Sequence, residues 1–409
     1  MRKLTLLLLA AALVCAAAER KVLFPKEAKP IGPYSPGIQV GDMVYLAGQG
    51  SNDPRTGKHP EEFPAQVRQA IENVRSILQS GGMDLRNLAY CQVYLDDFQN
   101  YDTARRIIGE QFKEDPPAAA FLGVAAMPGG THVEISCVAT ANASAKKAVW
   151  PKTSGGRGRQ PYAPGMLVGD TLYISGQGPD DPDSGRRPAD FGAQVRQALE
   201  NVGSVLKAAG LDYPNMIFVN PYLVGHEGTD VFNKEYATFF EFGNTPGRAT
   251  IYVTKLPQEA RINFTGVAVR DLAKRRAVRP SNMAPSPTAS PCVFGGDALY
   301  CSAKSGFVPS DGIQAPDLEG QLKQTMRNLL DGLEEAGLTW ADVVSTNVYL
   351  DDIADFANMN AGYRTYFSEA PPARTTVQQV VSLGAERTSG GPGKYPTLEQ
   401  ISLIAVRRR

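Results

Sequence analysis

The spacing of apolar positions along the chain predicts a protein that mixes helices and strands. Apolar residues recur every third or fourth position over residues 67–78, which is typical of a helix that buries one face. The runs at 37–40 and 43–46 instead alternate, which indicates short strands. Gly41 and Asp42 stand between these runs, and glycine permits the positive φ of a tight hairpin turn. The pattern predicts the order strand, strand, helix, strand, helix, strand.

The same pattern occurs three times. The helical segment 66–78 returns at 194–206 with ten identities in thirteen positions, and more weakly at 321–333. Buried strands are expected at 88–95 and 216–223. Each copy should have a second helix, over 101–112, 231–240 and 356–367. Further landmarks recur every 127 or 128 positions, namely the Gly-Asp pairs at Gly41, Gly169 and Gly296 and the Tyr-Leu pairs at Tyr94, Tyr222 and Tyr349. Matches along the whole period indicate three duplicated domains.

The N-terminus has the pattern of a secretory signal. Arg2 and Lys3 precede an apolar run over 4–14 and three alanines ending at Ala18, so we expect residues 1–18 to be cleaved after Ala18. A lipoprotein signal at Cys15 is less favoured, and the run is too short to span a bilayer. We therefore expect a periplasmic or secreted protein with no membrane contact after cleavage. The three domains should cover 19–145, 146–272 and 273–409, with surface linkers at 141–160 and 271–288.

Composition narrows the range of partners. The chain has 42 basic and 42 acidic residues, so it lacks the positive field with which proteins bind nucleic acid. Its three histidines are scattered, and no Cys/His spacing resembles a zinc site. We expect neither a metal nor another cofactor, and no nucleic-acid partner.

Several motifs occur in the order of a known family. They are Ile31-Gly-Pro-Tyr-Ser-Pro-Gly37, Val44-Tyr-Leu-Ala-Gly-Gln49, Pro116-Pro-Ala118 and Val133-Glu-Ile135. With their counterparts in the other copies, they make the chain resemble the Rid (YjgF-type) reactive-intermediate deaminase family, also named L-PSP endoribonuclease. The resemblance implies an α+β fold of the chorismate-mutase type and homotrimers with ligand sites between subunits. Three tandem domains would then form an intramolecular pseudo-trimer, and the mature chain would be a monomer.

The resemblance also implies an activity, the hydrolysis of 2-imino acids such as 2-iminopropanoate and 2-iminobutanoate to 2-keto acids and ammonia. In the family an arginine binds the substrate carboxylate and a glutamate orients the attacking water. A tyrosine, a serine and backbone amides complete the pocket. The chemistry is physically sound, because a guanidinium offers two parallel donors to a carboxylate and an imine carbon needs only a positioned water.

No single copy keeps the whole set. The retained positions are Tyr34 and Glu134 in copy one, Tyr162, Ser175, Gly176 and Arg248 in copy two, and Ser302 and Arg374 in copy three. The replaced positions are Ala47 and Ala119 in copy one, Asn263 in copy two, and Ala289, Ala303 and Gln400 in copy three. The catalytic candidates are therefore Arg248, Arg374 and Glu134, and a cleft between copies could still unite an arginine with Glu134. The other retained side chains, with Asn263 and Gln400, are candidates for substrate binding.

Two alternatives to the deaminase remain open. Asn263 and Gln400 stand where the family has glutamate, and an amide cannot accept a proton from water, so the protein could bind a small carboxylate without catalysis. An endoribonuclease is less favoured, because the charge is neutral and no histidine pair occurs. For the deaminase and for the non-catalytic binding protein, the expected partner is a small-molecule carboxylate, an imino or keto acid.

Copy three has two features of its own. If Gly296 and Asp297 form a two-residue turn, Cys292 and Cys301 face each other across the hairpin, and we predict a disulfide in an oxidising compartment. The alternative is two small buried residues, and a slip of one residue would separate the thiols. Copy three also has eleven extra residues within 384–397, which should form a mobile loop that gates its cleft.

Overall fold

A computed structural model describes residues 19–112, 115–152, 161–225, 228–367, 369–380 and 395–408. The predicted signal peptide lies outside these residues, as does most of the predicted loop at 384–397. Within the described residues, no helix is both long enough and apolar enough to cross a membrane.

Three mixed sheets, each with two helices, follow one another along the chain, which confirms the predicted α+β repeat. The elements of domain 1 are β1 (Arg20–Leu23), β2 (Gly37–Val40), β3 (Met43–Leu46), α1 (Phe63–Ser80), β4 (Leu88–Leu95), α2 (Tyr101–Gly109), β5 (Ala118–Gly123) and β6 (Val133–Thr140). The strand order is β1-β2-β3-β6-β4-β5, in which only β4 and β5 are parallel neighbours.

Domains 2 and 3 repeat this topology. Domain 2 has β7 (Lys146–Val149), β8 (Gly165–Val168), β9 (Thr171–Gln177), α3 (Phe191–Ala208), β10 (Met216–Val224), α4 (Thr229–Ala237), β11 (Gly247–Arg248), β12 (Ile251–Val253) and β13 (Ile262–Val269). Domain 3 has β14 (Arg275–Val278), β15 (Cys292–Gly295), β16 (Ala298–Lys304), α5 (Leu318–Glu335), β17 (Val343–Leu350), α6 (Phe356–Tyr363), β18 (Ala373–Gln378) and β19 (Glu399–Val406). In domain 2 the parallel strand is divided into β11 and β12, which both pair with β10.

Each long helix packs its apolar face on its sheet. In α1 this face is formed by Val67, Ala70, Ile71, Val74, Ile77 and Leu78, all of them buried. One asparagine on the helix also holds the loop after the first hairpin: Asn73 donates to the carbonyls of Gly50 and Asn52, both at 2.9 Å. Asn201 and Asn328 make the equivalent pairs of bonds in domains 2 and 3. The helix therefore fixes the position of this loop in each domain.

The sequence pattern missed two strands in each domain. The segments Lys146–Val149 and Arg275–Val278, which we expected within surface linkers, are edge strands β7 and β14 of the following domains. The sequence did not predict them because each buries a single side chain, its final valine, and so shows no alternation of buried and exposed positions. The second omission is the parallel strand after the shorter helix, β5 in domain 1, whose residues are all buried and so show no alternation.

Two disulfides cross neighbouring strands. Cys292 lies opposite Cys301 in the β15–β16 hairpin, and the two are bonded with their Cα atoms 4.0 Å apart, as predicted. Cys91 and Cys137 form a second disulfide between β4 and β6, with a Cα separation of 4.2 Å. The second pair was not predicted, because β4 and β6 are not joined by a tight turn that would give their register.

The three domains close into a ring with pseudo-threefold symmetry. In each of the edge strands β1, β7 and β14, the side chain of the first residue donates a hydrogen bond to a backbone carbonyl of the preceding domain in the ring. Arg20 of domain 1 reaches Val343 in domain 3, and Lys146 of domain 2 reaches Arg86 in domain 1. Arg275 of domain 3 reaches Met216 in domain 2. Tyr94, Tyr222 and Tyr349, one from each domain, lie in a single buried cluster. The chain is thus an intramolecular pseudo-trimer.

Candidate active site in the clefts between domains

A cleft lies at each boundary between domains and is named here by the two domains that form it. In each cleft the parallel strand of one domain faces the first hairpin and the last strand of the next. In the 3–1 cleft, the amide of Gly48 in domain 1 donates to the carbonyl of Arg374 in domain 3, at 3.1 Å. In the 1–2 cleft, the amide of Ala119 in domain 1 donates to the hydroxyl of Ser175 in domain 2. In the 2–3 cleft, the amide of Arg248 donates to the hydroxyl of Ser302. The position equivalent to the family arginine therefore always comes from one domain, and the remaining site positions come from its neighbour.

Arg374 is a buried cation in the 3–1 cleft, with 3% of its surface exposed. The carbon of its guanidinium lies 5.0 Å from the ring centre of Tyr363, 5.4 Å from that of Tyr34 and 5.5 Å from that of Phe356. Burial lowers the pKa of Arg374, against the opposing influence of Tyr363, Tyr34 and Glu134. Within the described residues the guanidinium forms no ion pair with a carboxylate. Because an unpaired buried charge is costly, this group is suited to an anionic ligand.

Glu134 lies in the same cleft, on β6 opposite Tyr94, and is 6% exposed. Burial raises the pKa of its carboxyl group to about 8, although Arg374 and the backbone N–H of Thr376 both act to lower it. Gly48 makes room for this carboxyl group, since a Cβ atom there would overlap Oε1 of Glu134. The result is a carboxyl group that can exchange a proton near neutral pH, which is the property required of a general acid or base.

A cavity of about 520 Å³ connects these groups. Arg374, Glu134 and Tyr34 line it together with Gly48 and Thr376. The hydroxyl of Tyr34 accepts a hydrogen bond from the amide of Ile31 at 3.4 Å, and burial raises the pKa of Tyr34. The structure thus brings together an arginine, the glutamate and a tyrosine of the site set, which no single domain contains.

The 2–3 cleft has an arginine without a glutamate. Arg248 lies over the rings of Phe232 and Tyr236, at 5.3 and 5.2 Å, and donates to Oδ1 of Asn233 at 2.8 Å. Gln400 lies opposite Tyr349, the register position that Glu134 has opposite Tyr94. Its amide nitrogen donates to the carbonyl of Thr250 at 2.9 Å and to Oε1 of Gln379 at 3.0 Å. This cleft can hold an anion but offers no proton acceptor at the glutamate position.

The 1–2 cleft has an apolar wall where the arginine would be. Ala119 occupies that position, and Phe121 beside it packs against the ring of Tyr162 at 5.9 Å. Asn263 takes the register position of the glutamate, opposite Tyr222, and a Cβ atom on Gly176 would come within 2.7 Å of its Oδ1. Position 119 supplies no charge to a carboxylate.

The two serines of the set have a structural task. Ser175 accepts the amide N–H of Ala119 at 2.7 Å and donates to the carbonyl of Ala163 at 2.5 Å. Ser302 accepts the amide N–H of Arg248 at 2.8 Å and donates to the carbonyl of Ser290 at 2.6 Å. Both hydroxyl groups therefore join one domain to the next through backbone groups. Their single protons are already donated within the protein.

Sequence reasoning overlooked the helical residues beneath each arginine. Asn233 and Tyr236 on α4 lie beside Arg248, and Tyr363 on α6 lies beside Arg374. Tyr236 and Tyr363 are 127 positions apart, as are Asn233 and Asn360. The repeat spacing was therefore a signal that could have identified them.

Within the described part of the chain, no group of three or more His, Cys, Asp or Glu side chains is placed to hold a metal ion.

Comparison with known proteins gives the family. The sequence model of the Endoribonuclease L-PSP family matches residues 24–141, 157–270 and 282–386. A RutC family protein of Pyrococcus horikoshii is 34% identical over 122 residues, which are 29% of this chain and 97% of that protein. A 2-iminobutanoate/2-iminopropanoate deaminase of Rattus norvegicus is 38% identical over 110 residues, 27% of this chain and 80% of that protein. Among solved structures, E. coli TdcF with bound serine is 28% identical and has a TM-score of 0.29, covering 31% of this chain and 99% of TdcF. The chain belongs to the Endoribonuclease L-PSP (Rid/YjgF) family and contains the family domain three times.

Proposed function

We propose that the 3–1 cleft hydrolyses 2-imino acids, of the 2-iminopropanoate and 2-iminobutanoate type, to 2-keto acids and ammonia. The observation that carries the proposal is the cavity shared by Arg374 of domain 3 and Glu134 of domain 1. The relatives named 2-iminobutanoate/2-iminopropanoate deaminase support the same reaction.

Arg374 would bind the substrate carboxylate. Its guanidinium can donate two parallel hydrogen bonds, and the surrounding rings of Tyr34, Phe356 and Tyr363 restrict its position. Such a clamp fixes the imine carbon, which is bonded directly to the carboxylate, at one place in the cavity. Fixing the reacting carbon is a large part of the catalysis that a water-addition reaction needs.

Glu134 would act on the water. The water oxygen forms a bond to the imine carbon while Glu134 accepts a water proton, and the same carboxyl group can then return the proton to nitrogen. The new hydroxyl group then gives its proton to Glu134, which passes it to the nitrogen as the C–N bond breaks. Ammonia leaves, and the carbon becomes the carbonyl of the 2-keto acid. A carboxyl group whose pKa is about 8 suits both steps, because it gains and loses a proton near neutral pH.

The test is an assay of the purified mature protein in which an amino-acid oxidase generates the imino acid and 2-keto acid release is timed. E134Q should lower kcat by about 10²- to 10⁴-fold, the usual range for loss of an acid–base group. R374A should raise KM and also lower kcat, because the carboxylate loses charge-assisted hydrogen bonds worth roughly 1.5 to 3 kcal/mol each and the imine carbon is no longer held in place. R248A is the matched control and should keep full activity. Parent-like activity in both E134Q and R374A would contradict the assignment.

A second candidate function belongs to the 2–3 cleft, which we propose binds a small carboxylate without hydrolysing it. Arg248 supports binding, and the engaged amide of Gln400 argues against turnover. Calorimetric titration of R374A protein with pyruvate should show this site alone. R248A should then remove binding, and R248K should restore it only in part, since an ammonium group cannot match the planar fork. Undiminished pyruvate binding in R374A/R248A protein would refute the assignment.

A further inference from the structure

The cavity in the 3–1 cleft is larger than the proposed substrates require. Its volume is about 520 Å³. A water molecule takes about 30 Å³ of the liquid, so the seven non-hydrogen atoms of 2-iminobutanoate fill at most about 210 Å³. More than half of the cavity therefore remains when such a substrate is bound at Arg374. A pocket of this total size is typical of larger organic ligands.

The remaining space lies on the domain 1 side of the cleft. It is bordered by residues 25–31, by the loop 48–57 and by helix α1, which contributes Gln69, Glu72, Asn73, Ser76 and Ile77. The loop begins at Gly48, beside Glu134, and Asn73 holds it against α1 through the carbonyls of Gly50 and Asn52. The cavity thus leads from the reacting groups along this loop to the helix.

The charged side chains around this space balance one another. Four of them form two ion pairs, Asp53 with Arg55 and Glu72 with Arg75. Glu27 and Lys29, which also line the cavity, have opposite signs. Because these six side chains have no net charge, they do not compensate a charged ligand group for the water that it would lose on binding.

Aliphatic side chains line much of the same space. They are Pro25, Ala28, Pro30, Ile31, Pro54 and Ile77. Ile31 is 54% exposed, and its Cδ1 would lie 3.6 Å from a Cβ atom on Gly129, which lines the cavity as well. An apolar ligand group that covered these side chains would be stabilised by the area removed from water.

The apolar residue at position 31 accompanies the cleft that has both an arginine and a glutamate. The equivalents of Ile31 are Arg159 in domain 2 and Ser286 in domain 3. The first loop of domain 1 therefore differs from its sister loops in the direction that suits an apolar ligand.

We infer that this space is a side-chain subsite, and that the 3–1 cleft takes 2-imino and 2-keto acids whose side chain is long, apolar and uncharged. The inference rests on the proposed function in placing the carboxylate at Arg374. In these acids the carboxylate and the side chain are bonded to the same carbon. With that carbon beside Glu134, the side chain extends into the space along residues 48–57. Each methylene group transferred from water into the subsite should tighten binding by up to about 4-fold.

The experiment is calorimetry on the full mature chain with R248A, which removes the second arginine site. Kd should fall steadily through pyruvate, 2-oxobutanoate, 2-oxopentanoate and 2-oxohexanoate, by roughly 10- to 60-fold in all. 2-Oxoglutarate, which has a second carboxylate at the end of a five-carbon chain, should bind more weakly than 2-oxopentanoate.

Two variants place the effect in the subsite. S76F fills the space from the exposed side of α1, so 2-oxohexanoate should bind no more tightly than pyruvate does. I31S removes an apolar side chain from the first loop and should weaken 2-oxohexanoate by at least about 3-fold. S204F is the matched control, because Ser204 is the equivalent exposed position on α3, and it should keep the parental series.

A parental series in which Kd is constant or rises with chain length would overturn the inference, as would tighter binding of 2-oxoglutarate than of 2-oxopentanoate. So would a series that S76F and I31S leave unchanged. R374A in the same background separates these outcomes from failure of the proposed function. If R374A abolishes binding of every acid in the parental series, the carboxylate site stands and only the subsite is wrong. If R374A changes none of the affinities, the cleft is not the carboxylate site and both proposals fail.

Discussion

Glu134 is a buried carboxyl group that stands near a cation without a direct ion pair, and its ionisation should govern the rate. Burial holds its pKa at about 8, so the group is largely protonated below that pH and ionised above it. A base must be ionised to accept a proton from water. We therefore expect kcat/KM to rise by about 10-fold per pH unit between pH 6 and 8 and to level off above. Initial rates across this range test the expectation, with E134Q predicted to be slow and flat, and a parent profile that falls with pH would contradict it.

Ala303 and Gln400 explain together why the 2–3 cleft differs from the 3–1 cleft. A Cβ atom at Gly48 would overlap the Glu134 carboxyl group, and Ala303 places such an atom at the equivalent position. We therefore predict that Q400E alone restores no activity to E134Q/R374A protein, in which the 3–1 cleft is disabled, because the new carboxyl group lacks space. The A303G/Q400E pair in the same E134Q/R374A background should raise the imine-hydrolysis rate by on the order of 10²-fold. Equal activity of the single and double variants would show that the glycine is not required.

Glu399 is a second buried carboxyl group, and its side chain contacts helix α5. It takes the register position of Val133 and Ile262, and Thr325 on α5 takes that of Ala70 and Ala198. The Thr325 hydroxyl donates to Oε1 of Glu399 at 2.5 Å, and burial raises the pKa of Glu399 to about 8. Domain 3 thus has an ionisable pair where its two sister domains have an apolar one.

This pair predicts a pH-dependent stability of domain 3. The folded pKa lies above the unfolded value, so stability is fully present below about pH 4.5 and is lost as pH rises to about 8, by roughly 1.4 kcal/mol per pKa unit. E399Q should remove the part of this dependence that Glu399 contributes, and E399V/T325A, which restores the apolar pair, should do the same, while the raised pKa of Glu134 contributes equally to parent and variants. Urea unfolding followed by Trp340 fluorescence in a W150F background measures it. Identical pH slopes in the parent and E399Q would exclude Glu399 as the cause.

At the level of elements, the sequence predicted those helices and turns that depend on nearby residues alone. The long helices and the Gly-Asp hairpins were predicted because an amphipathic stripe or a tight turn is determined by a few consecutive residues. The Cys292–Cys301 disulfide followed from the same turn. The Cys91–Cys137 disulfide could not be found this way, since the register of β4 against β6 depends on tertiary packing. The edge strands were missed because they gain their stability from the sheet they join.

The site shows the same division between local and long-range information. Alignment of the three copies placed Glu134, Asn263 and Gln400 at one structural position, and the strand registers agree. That Arg374 shares a cavity with Glu134, while Gln400 bonds to Thr250 of the domain that carries Arg248, depends on the direction in which the ring closes. No residue-level pattern specifies that direction.

At the scale of the whole molecule, the ring is closed by contacts between domains 3 and 1 as well as by the chain itself. Ser35 donates to the carbonyl of Pro371 at 2.6 Å, and Arg20 reaches Val343. Because every edge of the ring is already paired within one chain, we predict a monomer. Light scattering of mature protein at micromolar concentration should give the mass of one chain, and a stable trimer of whole chains would contradict the prediction.

We also propose that the mature protein works in the periplasm or outside the cell. The pattern of residues 1–18 supports export, and the two disulfides are of the kind that persists in oxidising compartments.

The central claim is that domains 3 and 1 form one ligand site from residues that neither domain has alone. The most direct test is a crystal structure of E134Q protein soaked with 2-oxobutanoate. We expect the carboxylate to lie against the Arg374 guanidinium and the keto carbon to face Gln at position 134, between Tyr34 and Gly48. Ligand bound in the 1–2 cleft beside Ala119, with none at Arg374, would contradict the account.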